Sequence, residues 1–162
     1  MAKIERKFMA HYINAGTSET ADYVRLGKDL EEYSPEMSAK VEKTPNILGE
    51  TRVNITGYEK SGAVEPYFAE KGDKLFERLQ KIVDEQQVLD DLKTDMVEVH
   101  LWEQESSGAY PAVQQEAYIE VTSYGGDTNG YQIPFTVHYT GQPVKGTFDP
   151  STKKFTATGA GA

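Results

Sequence analysis

The chain has 162 residues, 38% of them hydrophobic and 27% charged, which is enough for one domain with a real core and unlike a fibre or a disordered segment. It contains no cysteine, which excludes disulfides, thiolate metal sites and cysteine nucleophiles and fits assembly in a reducing cytoplasm. Its net charge of -9 and its acidic run Asp84-Glu85 through Asp90-Asp91 to Asp95 argue against a protein that grips nucleic acid, which normally carries a basic patch.

Residues 1–20 carry scattered apolar positions without a signal-peptide core and read as an N-terminal arm. No run approaches the roughly 20 apolar residues that a membrane helix needs. Residues 21–158 read as one domain. Ala21–Leu26 is a short strand closed by Gly27, and 29–36 is a loop. Residues 37–43 alternate, with Met37, Ala39 and Val41 on one face and Ser38, Lys40 and Glu42 on the other, as in a half-buried strand. In 51–57, Val53 and Ile55 alternate with Arg52, Asn54 and Thr56. With Pro45, Asn46 and Gly49 between them, 37–57 forms an antiparallel hairpin with a long loop.

Residues 58–72 look irregular. Asp73 is a good N-cap for a helix over 73–87, whose stripe is Leu75, Phe76, Leu79, Ile82 and Val83, with Glu77 and Lys81 as a helical ion pair. Residues 96–103 alternate with Val97, Val99 and Leu101 on one side, and Ser106-Ser107-Gly108 breaks the strand. The long strand 112–124 puts Val113, Ala117, Ile119 and Val121 on one face and Gln114, Glu116, Tyr118, Glu120 and Thr122 on the other. After turn residues Gly125-Gly126-Asp127 and Asn129-Gly130, strand 131–140 places Ile133, Phe135, Val137 and Tyr139 opposite Gln132, Thr136 and His138. Pro134 demands a bulge or break there. Gly141 and Pro143 turn the chain, 144–148 and 154–158 pair around Asp149-Pro150-Ser151, and 159–162 is a flexible tail. Six to eight strands and one helix make a mainly β (α+β) domain, an antiparallel sandwich or open barrel with one flanking helix.

Catalytic motifs are lacking. His11, His100 and His138 lie in separate elements, and there is no G-x-S-x-G, H-E-x-x-H or phosphate loop. Asp127, Asn129 and Gly130 echo a calcium loop, but His138 stands where its closing glutamate belongs. Glu103 and Glu105 offer no better pair. Glu116 and Glu120 share a strand face about 13 Å apart, too far for a joint acid–base pair. No catalytic residue, cofactor or metal is expected.

The order of four segments carries more information: GYE at 57–59 before the helix, VHLWE at 99–103, the run AYPAVQQEAYIEVTSYGGD at 109–127, and VHYTGQPVKGTF at 137–148. This order, above all VTSYGGD followed by YTGQPVKGT, resembles the tail tube proteins (major tail proteins) of long-tailed bacteriophages over roughly residues 20–156. The resemblance implies a β-sandwich that hexamerises into rings, with four strands per subunit closing an inner barrel, rings stacking into a tube, and DNA passing through without specific binding. It further implies a virion location, a non-contractile tail, and tape measure, tail terminator and distal tail or baseplate proteins as partners.

Mapped by position, the inner strands are 37–43, 51–57, 112–124 and 131–140. The implied lumen residues are Lys40, Glu42, Arg52, Asn54, Gln114, Glu116, Tyr118, Glu120, Gln132, Thr136 and His138, with Glu42 or a neighbour pairing Lys40 and Arg52. The implied stacking loop is Thr44, Pro45, Asn46, Ile47, Leu48, Gly49 and Glu50, or segment 58–71, and the helix lies outside. Two other readings stay open. One is the related ring protein of a type VI secretion tube, which gene neighbours would separate. The other is a monomeric ligand-binding β-sandwich using Tyr110, Tyr118 and Tyr131.

Overall fold

The computed structural model of the chain describes residues 2–17, 19–103 and 108–158; Glu105, the expected break at Ser106 and Ser107, and the expected tail at 159–162 lie outside them. The strands are β1 (Met9–Asn14), β2 (Tyr23–Leu26), β3 (Ala39–Pro45), β4 (Thr51–Tyr58), β5 (Ser61–Val64), β6 (Lys93–His100), β7 (Tyr110–Val121), β8 (Gly125–Asp127), β9 (Gly130–Gln132), β10 (Phe135–Asp149) and β11 (Lys154–Ala157), with helix α1 at Lys74–Glu85. The fold is mainly β, a curled antiparallel half-barrel with one helix.

The main sheet runs β11-β10-β7-β6-β1-β2, and β5 pairs with the first part of β10. Its centre is the β7–β10 pair, from Phe135 opposite Val121 to Phe148 opposite Tyr110. The register shifts between Thr140 and Val144, so Gly141 and Pro143 make a bulge inside one 15-residue strand rather than the expected turn. Pro134 does interrupt pairing: β9 ends at Gln132 and β10 begins at Phe135.

The expected arm at 1–20 is corrected by β1. Met9–Asn14 lies between β2 and β6, with Ala10 to Asn14 buried. This stretch shows no alternation because both faces of β1 are covered, so a polar/apolar period cannot mark it. β6 is also covered on both faces where Met96, Val97 and Val99 are all buried, yet Glu98 and His100 between its apolar residues keep the alternation that marked it. β5 falls within the segment read as irregular, and its four residues are too few to show a period.

Two cores follow from the two sheet faces. On one face, Leu75, Leu79 and Ile82 of α1 pack with Ile13, Met96, Ala117, Ile119, Phe135 and Val137. On the other, Ala10, Tyr12, Tyr23, Val97, Val99, Ala112 and Phe148 form a smaller cluster around which the sheet curls. Asp73 caps α1 by accepting from Leu75 N at 3.0 Å. Glu77, expected to meet Lys81, stands 3.6 Å from Lys74.

The expected hairpin at 37–57 forms, as β3 and β4, but the half-buried face does not. Every residue of β3 and β4 is exposed except half-buried Gly57, and the two strands form a sheet of their own. Alternation in the sequence correctly gave the strands two unlike faces, yet nothing in the described chain covers the apolar one.

Core and hairpin therefore respond differently to truncation. Leu79→Ala, at a site with 0% exposure, is expected to cost about 2–5 kcal/mol in urea unfolding of dilute protein. Val53→Ala, at a site with 56% exposure, is expected to change stability by less than about 0.5 kcal/mol. Comparable losses at the two positions would contradict this packing.

Candidate functional site

The hairpin is the first of two surfaces that stand out. Val41 opposite Ile55 and Lys43 opposite Val53 share one face, while Glu42 opposite Asn54 and Thr44 opposite Arg52 share the other. A bulge between Lys40 and Val41 twists its base. Asn46 orders the tip: its Oδ1 accepts from Leu48 N at 2.9 Å and Glu50 N at 3.0 Å. That tip carries Ile47 at 102% and Leu48 at 76% exposure. Two strands alone are marginal in water, and an open apolar stripe of this kind marks a contact surface. Lys40, for which Glu42 or a neighbour was the expected partner, pairs with Glu59 at 3.2 Å.

The second surface is the sheet face turned away from α1. Along β7 and β10, Thr136 opposes Glu120, His138 opposes Tyr118 and Thr140 opposes Glu116, so the strand period brings these polar residues together. His138 Nε2 lies 2.6 Å from Glu120 Oε1, and Lys93 Nζ lies 3.6 Å from Glu116 Oε1. The face thus carries both acidic and basic groups. Towards the smaller core it grades into a half-buried network. There Asp95 accepts from Asn14 at 3.0 Å and Tyr23 at 2.5 Å, and Gln114 Nε2 donates to both Tyr23 Oη at 2.9 Å and Asp95 at 3.0 Å. Burial and the adjacent carboxylate push the Tyr23 hydroxyl well above its usual range.

Of the sequence-predicted residues, Gln114, Glu116, Tyr118, Glu120, Thr136 and His138 share this face. Glu42, Asn54 and Arg52 share the polar face of the hairpin. In the single chain β3–β4 and β7–β10 belong to separate sheets. Gln132 lies in the β8–β9 ribbon, 3.5 Å from Asp127, because Pro134 detaches it from β10. Tyr110, Tyr118 and Tyr131 do not converge into a binding face: Tyr110 packs on the smaller core, Tyr118 lies on the polar face, and Tyr131 packs against Phe76 of α1.

A buried polar cluster on the α1 side was not visible in the sequence. His11 is 5% exposed and stacks edge-on against Tyr33 at 4.7 Å. Tyr33 Oη and Tyr139 Oη lie 2.7 Å apart. Lys60 stands 3.2 Å from Glu98 and 4.5 Å from the Tyr139 ring centre. Burial pushes His11 down to about 4, against the pull of Glu98. At 3.9 Å and already engaged by Lys60, Glu98 does not make up for the lost water.

Among the described residues, no group of three or more His, Asp or Glu side chains is placed to hold a metal ion, and no helix is long and apolar enough to cross a membrane. No protein-family model matches the chain, and neither does any curated protein sequence.

His11 gives a pH signature. Its proton affinity is lower folded than unfolded, so the unfolded chain takes up the proton first as pH falls. Stability on this account is full above pH 6.5 and lost between pH 6.5 and about 4, with a total of roughly 3 kcal/mol. Urea midpoints of His11→Gln are expected to fall less over that window than those of the unaltered protein; equal slopes would remove His11 as the cause.

Proposed function

We propose that the chain is the subunit of a bacteriophage tail tube, a structural virion protein that assembles as hexameric rings stacked into a conduit for DNA. The observation that carries this reading is the hairpin β3–β4, a two-stranded sheet standing in water with Val41, Val53 and Ile55 uncovered. Isolated ribbons of this kind gain stability by pairing their free edges with further strands. Identical neighbours supply such strands in a ring, and closure leaves no edge over.

The polar face of β7 and β10 supports the same reading. It lies opposite the helix and stays wet, as a bore requires. Glu116 and Glu120 keep it from becoming a run of cations that would hold phosphates. In this arrangement β3, β4, β7 and β10 line the channel, α1 lies outside, and the Asn46–Glu50 tip reaches the next ring. Tape measure, terminator and distal tail or baseplate proteins are its partners, within a non-contractile tail assembled in the bacterial cytoplasm.

Negative-stain electron microscopy of the purified protein is expected to show rings or tubes. Val53→Asp combined with Ile55→Asp is expected to abolish them while leaving the melting of dilute protein nearly unchanged. A native protein that stays monomeric at high concentration, or rings that survive both aspartates, would overturn the proposal.

A further inference from the structure

A cavity of about 560 Å3 opens where β1 begins and β2 ends. Met9, Leu26, Leu30 and Tyr33 give it an apolar lining, and Arg6, Lys7, Arg25 and Lys28 bring four of the chain's 17 cations to it against a single lining carboxylate, Glu31. Lys7 and Lys28 are offset by Glu5 at 2.8 Å and Glu70 at 2.6 Å. Arg6 and Arg25 donate instead to main-chain carbonyls: Arg6 to Met9 and Tyr33, Arg25 to Lys7. Among the described residues neither arginine has a carboxylate within ion-pair distance. His11 also lines the cavity, and its Nδ1 has no hydrogen-bond partner. In a chain of net charge -9 this is a cationic cavity with an apolar lining, so its complement is an acidic surface bearing an apolar tip.

The chain carries such a surface. After α1, whose C-terminus Gln86 caps in the usual left-handed backbone, Leu89 is left-handed as well, with φ of 56°. A bulky side chain rarely takes that conformation, and such outliers cluster at functional sites. Here the chain presents Val88 at 62% and Leu89 at 80% exposure. Asp84, Glu85, Asp90 and Asp91 flank this tip, with no cation between Lys81 and Lys93.

Strand β6 separates the two features. The tip precedes its first residue, Lys93, while Met9 at the cavity pairs with its last, His100. Eight residues of strand put them roughly 25 Å apart, so one chain does not bring them together. We propose that the Val88–Leu89 tip docks into this cavity on a second copy, a head-to-tail contact that repeats from copy to copy. The proposal rests on the self-assembly reading above and assigns it a specific contact.

Charge reversal tests it. Asp90→Lys with Asp91→Lys inverts the tip, and Arg25→Glu with Lys28→Glu inverts the cavity rim. Each double variant alone is expected to weaken association at least about 10-fold by sedimentation velocity. An equimolar mixture is expected to recover it, because every tip then meets a rim of opposite charge. The recovery also shows that both variants are folded, and Leu89→Ser tests the apolar half without altering charge.

Native tubes that tolerate all three variants, or a mixture that regains nothing although both components melt as the native protein does, would overturn the docking contact and leave the tube reading standing. A native protein that never associates would overturn both.

Discussion

The long pairing of β7 with β10 is the constraint on which the rest of the structure depends. It holds one register from Phe135 to Thr140, absorbs a bulge at Gly141–Pro143, and resumes from Val144 to Phe148. Because strand side chains alternate, that register decides at once which residues meet α1 and which face away. A slip of one residue would turn Ile119 and Val137 to water and bury Glu120 and His138. Everything else attaches to this pair: β6 and β1 extend it on one side, while β5 and β11 share the other edge of β10.

The two faces are treated unequally along their length. The α1 side is mostly apolar, but it holds the cluster of His11, Glu98, Lys60, Tyr33 and Tyr139, in which the two tyrosines bond each other and Lys60 pairs with Glu98, while His11 stays neutral with its Nδ1 unpaired. The opposite face is apolar only where the sheet curls over Phe148 and Val97. Beyond Asp95 and Gln114 it becomes hydrophilic. A single sheet thus supplies both a closed core and a wet wall.

The hairpin stands outside this economy. Its exposed valines and isoleucines gain nothing from the fold of one chain, whose cores are complete without them. Their uncovered area would contribute to stability only if further strands covered it, as the proposed ring requires. Val88 and Leu89 likewise stand uncovered, in an unfavourable turn in full view of solvent.

The sequence by itself determined the local elements with a clear period or cap: α1 from Asp73 and its stripe, the 37–57 hairpin, the two faces of β7 and the first half of β10, and the break at Pro134. Those signals lie within a few residues of one another, so local physics suffices. Tertiary structure alone decided that Met9–Asn14 is an inner strand, since a strand buried on both faces has no alternation to read. It alone carried β10 through Gly141 and Pro143, where a bulge and a turn have the same composition. It alone assembled the His11 cluster and the basic cavity, whose members are far apart in the chain, and it alone left the apolar face of β3 and β4 bare, because a pattern of residues encodes which side seeks cover but not whether the same chain provides it.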